Sequence, residues 1–332
     1  KKEMLPHRGI MNAVTKIIIF HLLSTLIISI INQNVSYQPI IFSNIFVSAF
    51  NNPQGGTSAT FKKIRSCHPP KQQIVLSMQT GTTTAESNGE EGSDKSEPIS
   101  PKASKLGLVL ITGGSRGIGR ATSILLAQRG YDVAINYRSC ASEAQAIIDE
   151  IKTTTSKGNN KDTGRVMTFQ ADVTKENEVI SLFDSIYTSF GRNPTGLVNN
   201  AGILGTLSSD ITSITTSDIE KVFAVNVYGP FYCTREFVRR WQKGAGEEEV
   251  KQGSIVNISS GSAHIGSPLT YAMSKGALNS FMAGLSKTLP PNHNIRMNAI
   301  SPGVANTDMV TDEMADRVVP LIPMKWRIEL YL

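Results

Sequence analysis

A glycine-rich turn between an apolar run and a helical pattern is the feature that most restricts how this chain folds. The run Leu106 to Thr112 has the length and the branched residues of a buried strand, and the segment Arg116 to Gln128 has a helical pattern. Between them, glycines at positions 113, 117 and 119 permit a tight turn and a close approach of the backbone to a pyrophosphate. The helix N-terminus behind the turn would face the same anion. The sequence therefore predicts a nucleotide-binding α/β protein.

The end of the second predicted strand indicates which nucleotide binds. An acidic residue after this strand, Tyr131 to Tyr137, would bind the ribose hydroxyls of NAD and repel a 2′-phosphate. The chain has Arg138 and Ser139 there instead, and Arg116 in the glycine turn can reach the same region with a bidentate, permanently charged group. These residues predict NADP(H) rather than NAD(H), although two solvent-exposed arginines remain an alternative.

Tyr271 and Lys275 form a candidate proton donor for carbonyl chemistry. Four positions separate them, so on a helix they share one face. Lowering the pKa of a phenol from near 10 to ~7 takes about 4 kcal/mol. An ammonium ~4 Å away supplies about that much at an effective dielectric constant near 20. We therefore predict that Lys275 lowers the pKa of Tyr271; a surface pair is the alternative for this spacing alone.

Several short motifs follow one another as they do in short-chain dehydrogenases/reductases, which this chain resembles over about residues 105–324. The motifs are Thr112 to Gly119, Asn199-Asn-Ala-Gly202, Asn226, Ser259-Ser260, Tyr271-x-x-x-Lys275 and Ser301-Pro-Gly303. Each motif is short, but their combination and order are highly specific.

The resemblance implies four catalytic residues. Tyr271 would be the general acid/base, and Ser260 would hydrogen-bond the substrate oxygen. Lys275 would lower the pKa of the tyrosine and hold the nicotinamide ribose, and Asn226 would anchor a water in the proton relay. A hydroxyl donor and a phenol aimed at the carbonyl oxygen would stabilise the negative charge that develops there. No metal is required for this chemistry.

The resemblance also implies a cofactor-binding set. Asp172 and Val173 would border the adenine, the segment after the fourth strand would line the cofactor, and Thr307 would meet the carboxamide. The expected cofactor-binding residues are Gly113, Ser115, Arg116, Gly117, Ile118, Gly119, Arg138, Asp172, Val173, Asn199, Ala201, Gly202, Tyr271, Lys275, Pro302, Gly303 and Thr307.

Two departures from the family pattern affect these expectations. Ser260 precedes Tyr271 by only eleven positions, so the segment Gly266 to Thr270 looks shortened. Ser260 would then be misplaced, with Ser259 and Ser262 as replacements. The family pattern also continues beyond residues 325–332, from which we expect a sheet that lacks its last helix and edge strand, and we hypothesise a truncated gene model.

The first hundred residues predict targeting rather than catalysis. Residues 1–49 contain the apolar run Ile17 to Ile31 after basic residues, as in a signal peptide, and Val47-Ser-Ala49 offers small residues before Phe50. Residues 50–85 are hydroxylated and basic without acids, as in a transit peptide, and residues 86–104 have the composition of a disordered linker. This resembles the bipartite plastid presequence of algae with secondary plastids. A signal anchor, secretion, or an untranslated leader before a cytoplasmic enzyme are the alternatives.

Charge and cysteine content exclude other classes. Residues 1–85 carry eight basic residues and one acidic residue, so most of the net +6 lies in the leader and predicts no nucleic-acid partner. The three cysteines, at 67, 140 and 233, predict neither a disulfide framework nor a metal cluster. His264 near Ser260 lacks the surrounding nucleophile elbow of a hydrolase.

Alternating segments in residues 105–332 predict one α/β domain with a doubly wound (Rossmann) parallel sheet. Strands are expected near 166–171, 196–199, 254–259 and 296–301, and helices near 176–190, 218–241 and 271–289. We expect an NADPH-dependent oxidoreductase that interconverts a carbonyl and an alcohol. The favoured form is 3-oxoacyl-carrier-protein reduction in fatty acid biosynthesis, with Arg239, Arg240 and Lys243 meeting an acidic carrier. A glucose 1-dehydrogenase-like enzyme and a non-catalytic NADP-binding protein are the alternatives. In its mature form the protein would act on a small molecule away from membranes, as a homo-oligomer if its C-terminus were complete.

Overall fold

The computed structural model describes residues 104, 106–157, 163–208, 210–243, 252–322 and 327–330, although the side chains of 154–157 are not included. The predicted signal peptide, transit segment and nearly all of the linker lie outside these residues, as do the three glutamates at 247–249. Within the part that is described, no helix has the length and apolarity needed to cross a bilayer.

Strands and helices alternate along the described chain. The strands are β1 (Leu108–Ile111), β2 (Asp132–Tyr137), β3 (Val166–Gln170), β4 (Gly196–Asn199), β5 (Gly253–Ile258) and β6 (Ile295–Ile300). The helices are α1 (Gly117–Gln128), α2 (Ala141–Lys157), α3 (Glu176–Phe190), α4 (Thr216–Phe223), α5 (Gly229–Lys243), α6 (Ser262–Ile265), α7 (Leu269–His293) and α8 (Asp312–Val318). A π-helical turn, Ala224–Tyr228, joins α4 to α5, and 3-10 turns cover Ile211–Ser213 and Val319–Leu321.

The six strands form one parallel sheet in the order β3-β2-β1-β4-β5-β6. The chain starts in the middle, winds to one side and then returns to the other, so the order reverses between β1 and β4. The predicted doubly wound α/β fold is confirmed. Helix α2 was not predicted, because the threonines at 153–155 and Ser156 give its second half a low helix propensity.

Apolar side chains cover both faces of the sheet, as expected of parallel strands. One buried cluster joins the sheet to α1 and α2 and includes Ile124, Leu126 and Ile147. The other joins it to α3, α5 and α7 and includes Phe183, Phe237 and Leu289. Since all strands run the same way, their carboxyl ends share one edge, and the segments that follow β1, β4, β5 and β6 meet there.

Candidate active site

The glycine turn after β1 is closely packed against the segment after β4. Gly113 has φ +58° and Gly117 has φ +50°, in the left-handed region that favours glycine. A Cβ atom at Gly113 would lie 2.9 Å from the Cα of Ala201, and one at Gly119 would collide with the amide of Asn200. The turn therefore has no room for side chains at these positions, as in the glycine-rich turn of a pyrophosphate site.

Three polar residues hold this turn, and two of them, Thr112 and Asn136, were not among the predicted cofactor-binding residues. Asn200 Nδ2 donates to the carbonyls of Thr112 (3.0 Å) and Gly113 (2.9 Å). The Thr112 hydroxyl accepts from the backbone N–H groups of Asn200 (3.0 Å) and Ala201 (3.1 Å). Asn136 bridges from β2, accepting from Gly113 N and donating to Ala171 O. An asparagine that follows the apolar run Val133 to Ile135 of β2 is a sequence signal that could have identified Asn136.

The side chain of Asn199 does not line this turn. It is buried on the α5 side of β4, where its Nδ2 donates to the Thr234 hydroxyl (3.1 Å) and to Asn257 Oδ1 (2.9 Å). Successive residues at the end of a strand point to opposite faces, so Asn200 rather than Asn199 faces the glycines. The Asn199 side chain is thus turned away from the glycine turn, and any cofactor contact of Asn199 would come from its backbone. Ala201 and Gly202 follow directly and lie beside the turn and beside Lys275, respectively.

Ser260, Tyr271 and Lys275 meet at the carboxyl end of β5. The Ser260 hydroxyl lies close enough to the Tyr271 hydroxyl to lower the pKa of the phenol. Lys275 lies one turn along α7, with its Nζ 5.6 Å from the centroid of the Tyr271 ring. Its Nζ donates to the carbonyl of Ile258, 2.7 Å away. The short connection through α6 thus brings Ser260 to the phenol.

The alternative serines have other contacts. Ser259 is buried and donates to the Lys275 carbonyl on α7 (3.5 Å). The backbone N–H of Ser262 donates to the Ser260 hydroxyl (3.1 Å), which helps to orient it. The expectation that the short loop misplaces Ser260 is therefore wrong in this structure.

Burial shifts the pKa values of both Tyr271 and Lys275. Burial raises the pKa of Tyr271, and the hydrogen bond with Ser260 partly opposes it. Burial also lowers the pKa of Lys275 to about 8. Both groups are almost fully buried, so desolvation disfavours both charged forms and is the largest effect on each pKa. That the Lys275 ammonium lowers the pKa of the phenol stays a prediction.

Asn226 is fully buried in the π-helical turn and links three elements. Its Nδ2 donates to the Ile203 carbonyl and to the Ser274 hydroxyl, and its Oδ1 accepts from the Ile203 N–H, each over 2.9 Å. A Cβ at Gly202 would lie 3.4 Å from Asn226 Oδ1 and 3.5 Å from Lys275 Nζ. Asn226 therefore fixes the segment after β4 against α7 beside the lysine.

The residues expected near the adenosine lie at the ends of β2 and β3. Arg138 is exposed, whereas Arg116 Nε lies 3.3 Å from Glu143 and its Nη1 3.8 Å from Asp308. Asp172 Oδ1 accepts from Thr174 N and so stabilises the turn before α3, and Val173 packs against Gly229. Within the turn after β1, Ser115 is buried and Ile118 packs onto the core beside α1.

The segment after β6 crosses towards the glycine turn. Pro302 is buried and its carbonyl accepts from Gly261 N (3.1 Å), and Gly303 follows it. Further along, Thr307 Cγ2 would lie 3.1 Å from a Cβ at Gly117. Thr307 is thus placed beside the turn, on the side from which it could meet a bound nucleotide.

The basic residues expected to meet an acidic carrier lie at the opposite edge of the sheet. Arg239, Arg240 and Lys243 occupy the end of α5, which leads back to the amino end of β5. Arg240 pairs with Glu236 and Asp184, each at 2.8 Å, and Arg239 lies 3.6 Å from Glu236. Helix α5 runs away from Tyr271 and two of its three cations are paired, so neither observation supports the expected carrier contact, which stays a prediction.

The family model for short chain dehydrogenases matches residues 107–318, which include the glycine turn, Ser260, Tyr271 and Lys275. The chain belongs to the short chain dehydrogenase family. Curated relatives agree with this assignment. The sequence is 39% identical over 227 residues to an uncharacterised oxidoreductase, YgfF, of Escherichia coli, covering 66% of this chain and 86% of the relative. This dehydrogenase is therefore an oxidoreductase.

Two further relatives have named activities. One is an NADPH-dependent aldehyde reductase-like chloroplastic protein of Arabidopsis thaliana, 33% identical, with 68% of this chain and 82% of the relative covered. The other is a 3-oxoacyl-[acyl-carrier-protein] reductase of Synechocystis, 32% identical, with 65% and 81% covered. Among solved structures, a short chain dehydrogenase from Burkholderia cenocepacia in complex with NADP is 30% identical with a TM-score of 0.56, covering 67% of this chain and 84% of that one.

Proposed function

We propose that this dehydrogenase reduces the carbonyl group of an aldehyde or ketone to an alcohol with NADPH. The observation that carries the proposal is the proximity of the partly buried Ser260 hydroxyl to the Tyr271 hydroxyl, one helical turn from Lys275. The two hydroxyls lie at the carboxyl edge of the sheet, the edge at which the glycine turn offers a nucleotide site. The names of the aldehyde reductase and carrier-protein reductase relatives support the same chemistry.

Each of the three side chains at the site has a separate role in the proposed reaction. A bound reduced nicotinamide supplies the hydride for the carbonyl carbon. The Tyr271 phenol gives its proton to the carbonyl oxygen, and the Ser260 hydroxyl hydrogen-bonds that oxygen as negative charge develops. Lys275, held by the Ile258 carbonyl, places its ammonium beside the phenol and stabilises the phenolate after proton transfer. Water then returns a proton to Tyr271.

Loss of the phenol hydroxyl tests the proposal. With the full chain, we expect NADPH oxidation by a panel of aldehydes and ketones, and Tyr271→Phe should reduce kcat by about 10² to 10⁴-fold, because general acid catalysis contributes that much. NADPH binding, measured by fluorescence, should persist. Tyr187→Phe, on an exposed part of α3, is the matched control. Equal rates for Tyr271→Phe and the wild type would contradict the proposed role of the phenol, and tight NADPH binding without turnover would favour the non-catalytic alternative.

Preference for NADPH rests on the two arginines at the adenosine end. Charge-assisted bonds to a phosphate contribute about 1.5–3 kcal/mol, so Arg138→Ala should raise KM for NADPH by about tenfold or more and leave KM for NADH nearly unchanged. Arg116→Ala should do less, since Glu143 and Asp308 already neutralise that guanidinium. Arg129→Ala, exposed at the far end of α1, serves as control. A lower KM for NADH than for NADPH in the wild type would overturn the cofactor assignment.

We further propose that the chain acts in a plastid. The basic, hydroxylated leader supports this location, and two Arabidopsis thaliana relatives have chloroplastic names. A fluorescent fusion of residues 11–85 should therefore accumulate in plastids. Fluorescence confined to the endoplasmic reticulum would contradict the proposal.

A further inference from the structure

We infer that the substrate is an uncharged, apolar aldehyde or ketone that is free in solution, rather than an acyl group held on an acidic carrier protein or a sugar. This inference rests on the proposed carbonyl reduction. It concerns the segments after β4, β5 and β6, which surround Ser260 and Tyr271 at the carboxyl edge of the sheet.

These segments expose large apolar side chains. Five of the eleven exposed large hydrophobic residues of the described chain lie on them, with 39–71% of each side chain accessible. The five residues are Leu207 and Ile211 after β4, Ile265 after β5, and Val318 and Leu321 after β6. Exposed apolar groups that cluster on the functional edge mark a surface where an apolar ligand is bound.

The placement of two of these segments ties them to the reactive hydroxyls. Ile265 ends α6, the short helix between Ser260 and Tyr271, and 61% of its side chain is exposed. The segment after β6 reaches the glycine turn through Thr307 and Asp308 before it continues to Leu321. A carbonyl compound between the turn and Tyr271 would therefore meet this segment on its way to the phenol.

The charge of the same segments opposes an acidic partner. Residues 200–215, 259–270 and 301–322 contain five acidic residues and one arginine. That arginine, Arg317, is paired with Glu313, and Asp312 is paired with Arg327, which also lies 3.7 Å from Glu329. Apart from His264, the described part of these segments offers no unpaired basic side chain.

The basic side chains of α5 cannot compensate for this charge, since they lie at the other edge of the sheet. A carrier protein that docked over Tyr271 would bring its acidic surface against segments in which five acidic residues outnumber one arginine, although Asp308, Asp312 and Glu313 are partly neutralised by ion pairs. Like charges placed together in this way slow association and weaken the complex. An uncharged, apolar molecule is not repelled by these carboxylates, so neither its association rate nor its affinity is reduced. Burial of its apolar surface favours binding.

Two matched sets of substrates test the inference with the full chain and NADPH. The first compares one acetoacetyl group as its ethyl ester and as a thioester on an acyl carrier protein. We expect kcat/KM to be at least about tenfold higher for the ester, and we expect the carrier rate to rise with added salt, which screens repulsion. The second set lengthens a straight-chain aldehyde, and kcat/KM should rise by up to about fourfold per methylene buried. Glucose with NADP should give no turnover above background.

Paired variants separate the apolar from the charged contribution. Leu321→Ser should lower kcat/KM for long aldehydes several-fold and leave short ones unchanged, whereas Leu106→Ser, also exposed but at the amino edge, should change neither. The double change Asp312→Asn with Glu313→Gln should raise the carrier rate several-fold, and Asp149→Asn on α2 should not. Thermal melts of each variant establish that the variant is folded.

The outcomes distinguish the inference from the proposed function. Faster reduction on the carrier than as the ester, a flat chain-length series, or equal effects of Leu321→Ser and Leu106→Ser would overturn the inference while the reductase remained established. No turnover with any carbonyl in either form would overturn the proposed function, and the inference with it.

Discussion

Lys275 is a buried cation with a single described hydrogen-bond acceptor, the carbonyl of Ile258. Burial lowers its pKa to about 8, so near neutral pH the side chain is still mostly charged. The folded protein therefore contains a charged group that its surroundings disfavour. Such a group lowers the free energy of unfolding whenever it is protonated. Burial beside Tyr271 is the reason for this loss of stability.

The lowered pKa predicts a pH-dependent stability. Between about pH 8 and the ordinary lysine pKa near 10.5, the unfolded chain binds more protons at this position than the folded chain, so the free energy of unfolding should rise with pH. From pH 8 to 10 the contribution is about 2 kcal/mol. We expect urea unfolding of the wild type to show this gain relative to Lys275→Met.

The comparison with Lys275→Met matters because other groups act in the opposite direction. Burial raises the pKa of Cys233 to about 12 and also raises that of Tyr271, and both effects reduce stability at alkaline pH. They are present in both proteins and cancel in the difference. If the wild type and the variant lose stability in parallel from pH 8 to 10, the lysine is not buried as the structure has it.

At the residue scale, the sequence identified the reactive groups. It did not predict the sign of their pKa shifts or the face of the sheet to which neighbouring side chains point. Tyr271, Ser260 and Lys275 could be selected because their residue types match the chemistry and their spacing matches a helix. The sign of the pKa shift of Tyr271 could not be predicted, since it depends on how completely α7 is covered. The exchange of roles between Asn199 and Asn200 has a similar origin, because both faces of β4 are buried and the pattern does not distinguish them.

At the scale of elements, the π-helical turn between α4 and α5 positions the residue that connects the segment after β4 to α7. The sequence predicted one helix from Asp218 to Trp241, and the path is indeed helical, starting at Thr216 with Thr215 as its N-cap. The wider turn at Ala224–Tyr228 was not predictable, because a local change of hydrogen-bond register leaves the apolar periodicity nearly intact. This turn places Asn226 between the segment after β4 and α7.

Removing the Asn226 amide should separate these two segments. Asn226→Ala deletes three buried hydrogen bonds and leaves both polar groups of the Ile203 backbone without this partner, which should cost about 1–3 kcal/mol of stability. It should also lower kcat, since Gly202 lies between Asn226 and Lys275. Thermal unfolding and NADPH oxidation would measure the two effects.

Ser274→Ala is the matched control, because it removes only one of the three Asn226 hydrogen bonds, that to α7. It should retain most of the activity. If both variants lower kcat equally, the anchoring of Ile203 is not what the site requires.

At the scale of the whole molecule, the amino edge of the sheet is closed by a buried ionic cluster. Asp132 Oδ2, fully buried, lies 2.7 Å from Arg165 Nη2 and 2.8 Å from Arg192 Nη2. The backbone N–H of Arg165 donates to Asp132 Oδ1, and Arg192 Nη1 donates to the Ser104 carbonyl. The cluster connects β2, the start of β3, the end of α3 and the start of the described domain.

Loss of the carboxylate should affect stability far more than catalysis. Asp132→Ala leaves two mostly buried guanidinium groups without their shared partner, a type of change that costs about 3–5 kcal/mol. Urea midpoints should fall accordingly, while kcat of the folded fraction should stay within about twofold of the wild type. Asp149→Ala, exposed on α2, should leave both quantities nearly unchanged, and a large loss of kcat in Asp132→Ala would show that the two edges are coupled.

The overall topology could be predicted more fully than the surfaces, because alternating apolar segments determine strand order through the handedness of crossovers. Whether the basic end of α5, with Arg239 and Arg240, faces the reactive edge depends on the direction of this helix in space, which the sequence pattern alone does not give. Homo-oligomer formation stays a prediction, and analytical ultracentrifugation of the full chain would test it.

The buried salt cluster at Asp132 also has a consequence for protein engineering. The ion pairs of Asp132 stabilise the domain at the end remote from Tyr271, and Leu207, Ile265 and Leu321 are exposed. Replacements at these three positions should therefore change the free energy of unfolding little. A library confined to these positions should consequently yield mostly folded variants, in which the proposed substrate preference can be altered without loss of the domain.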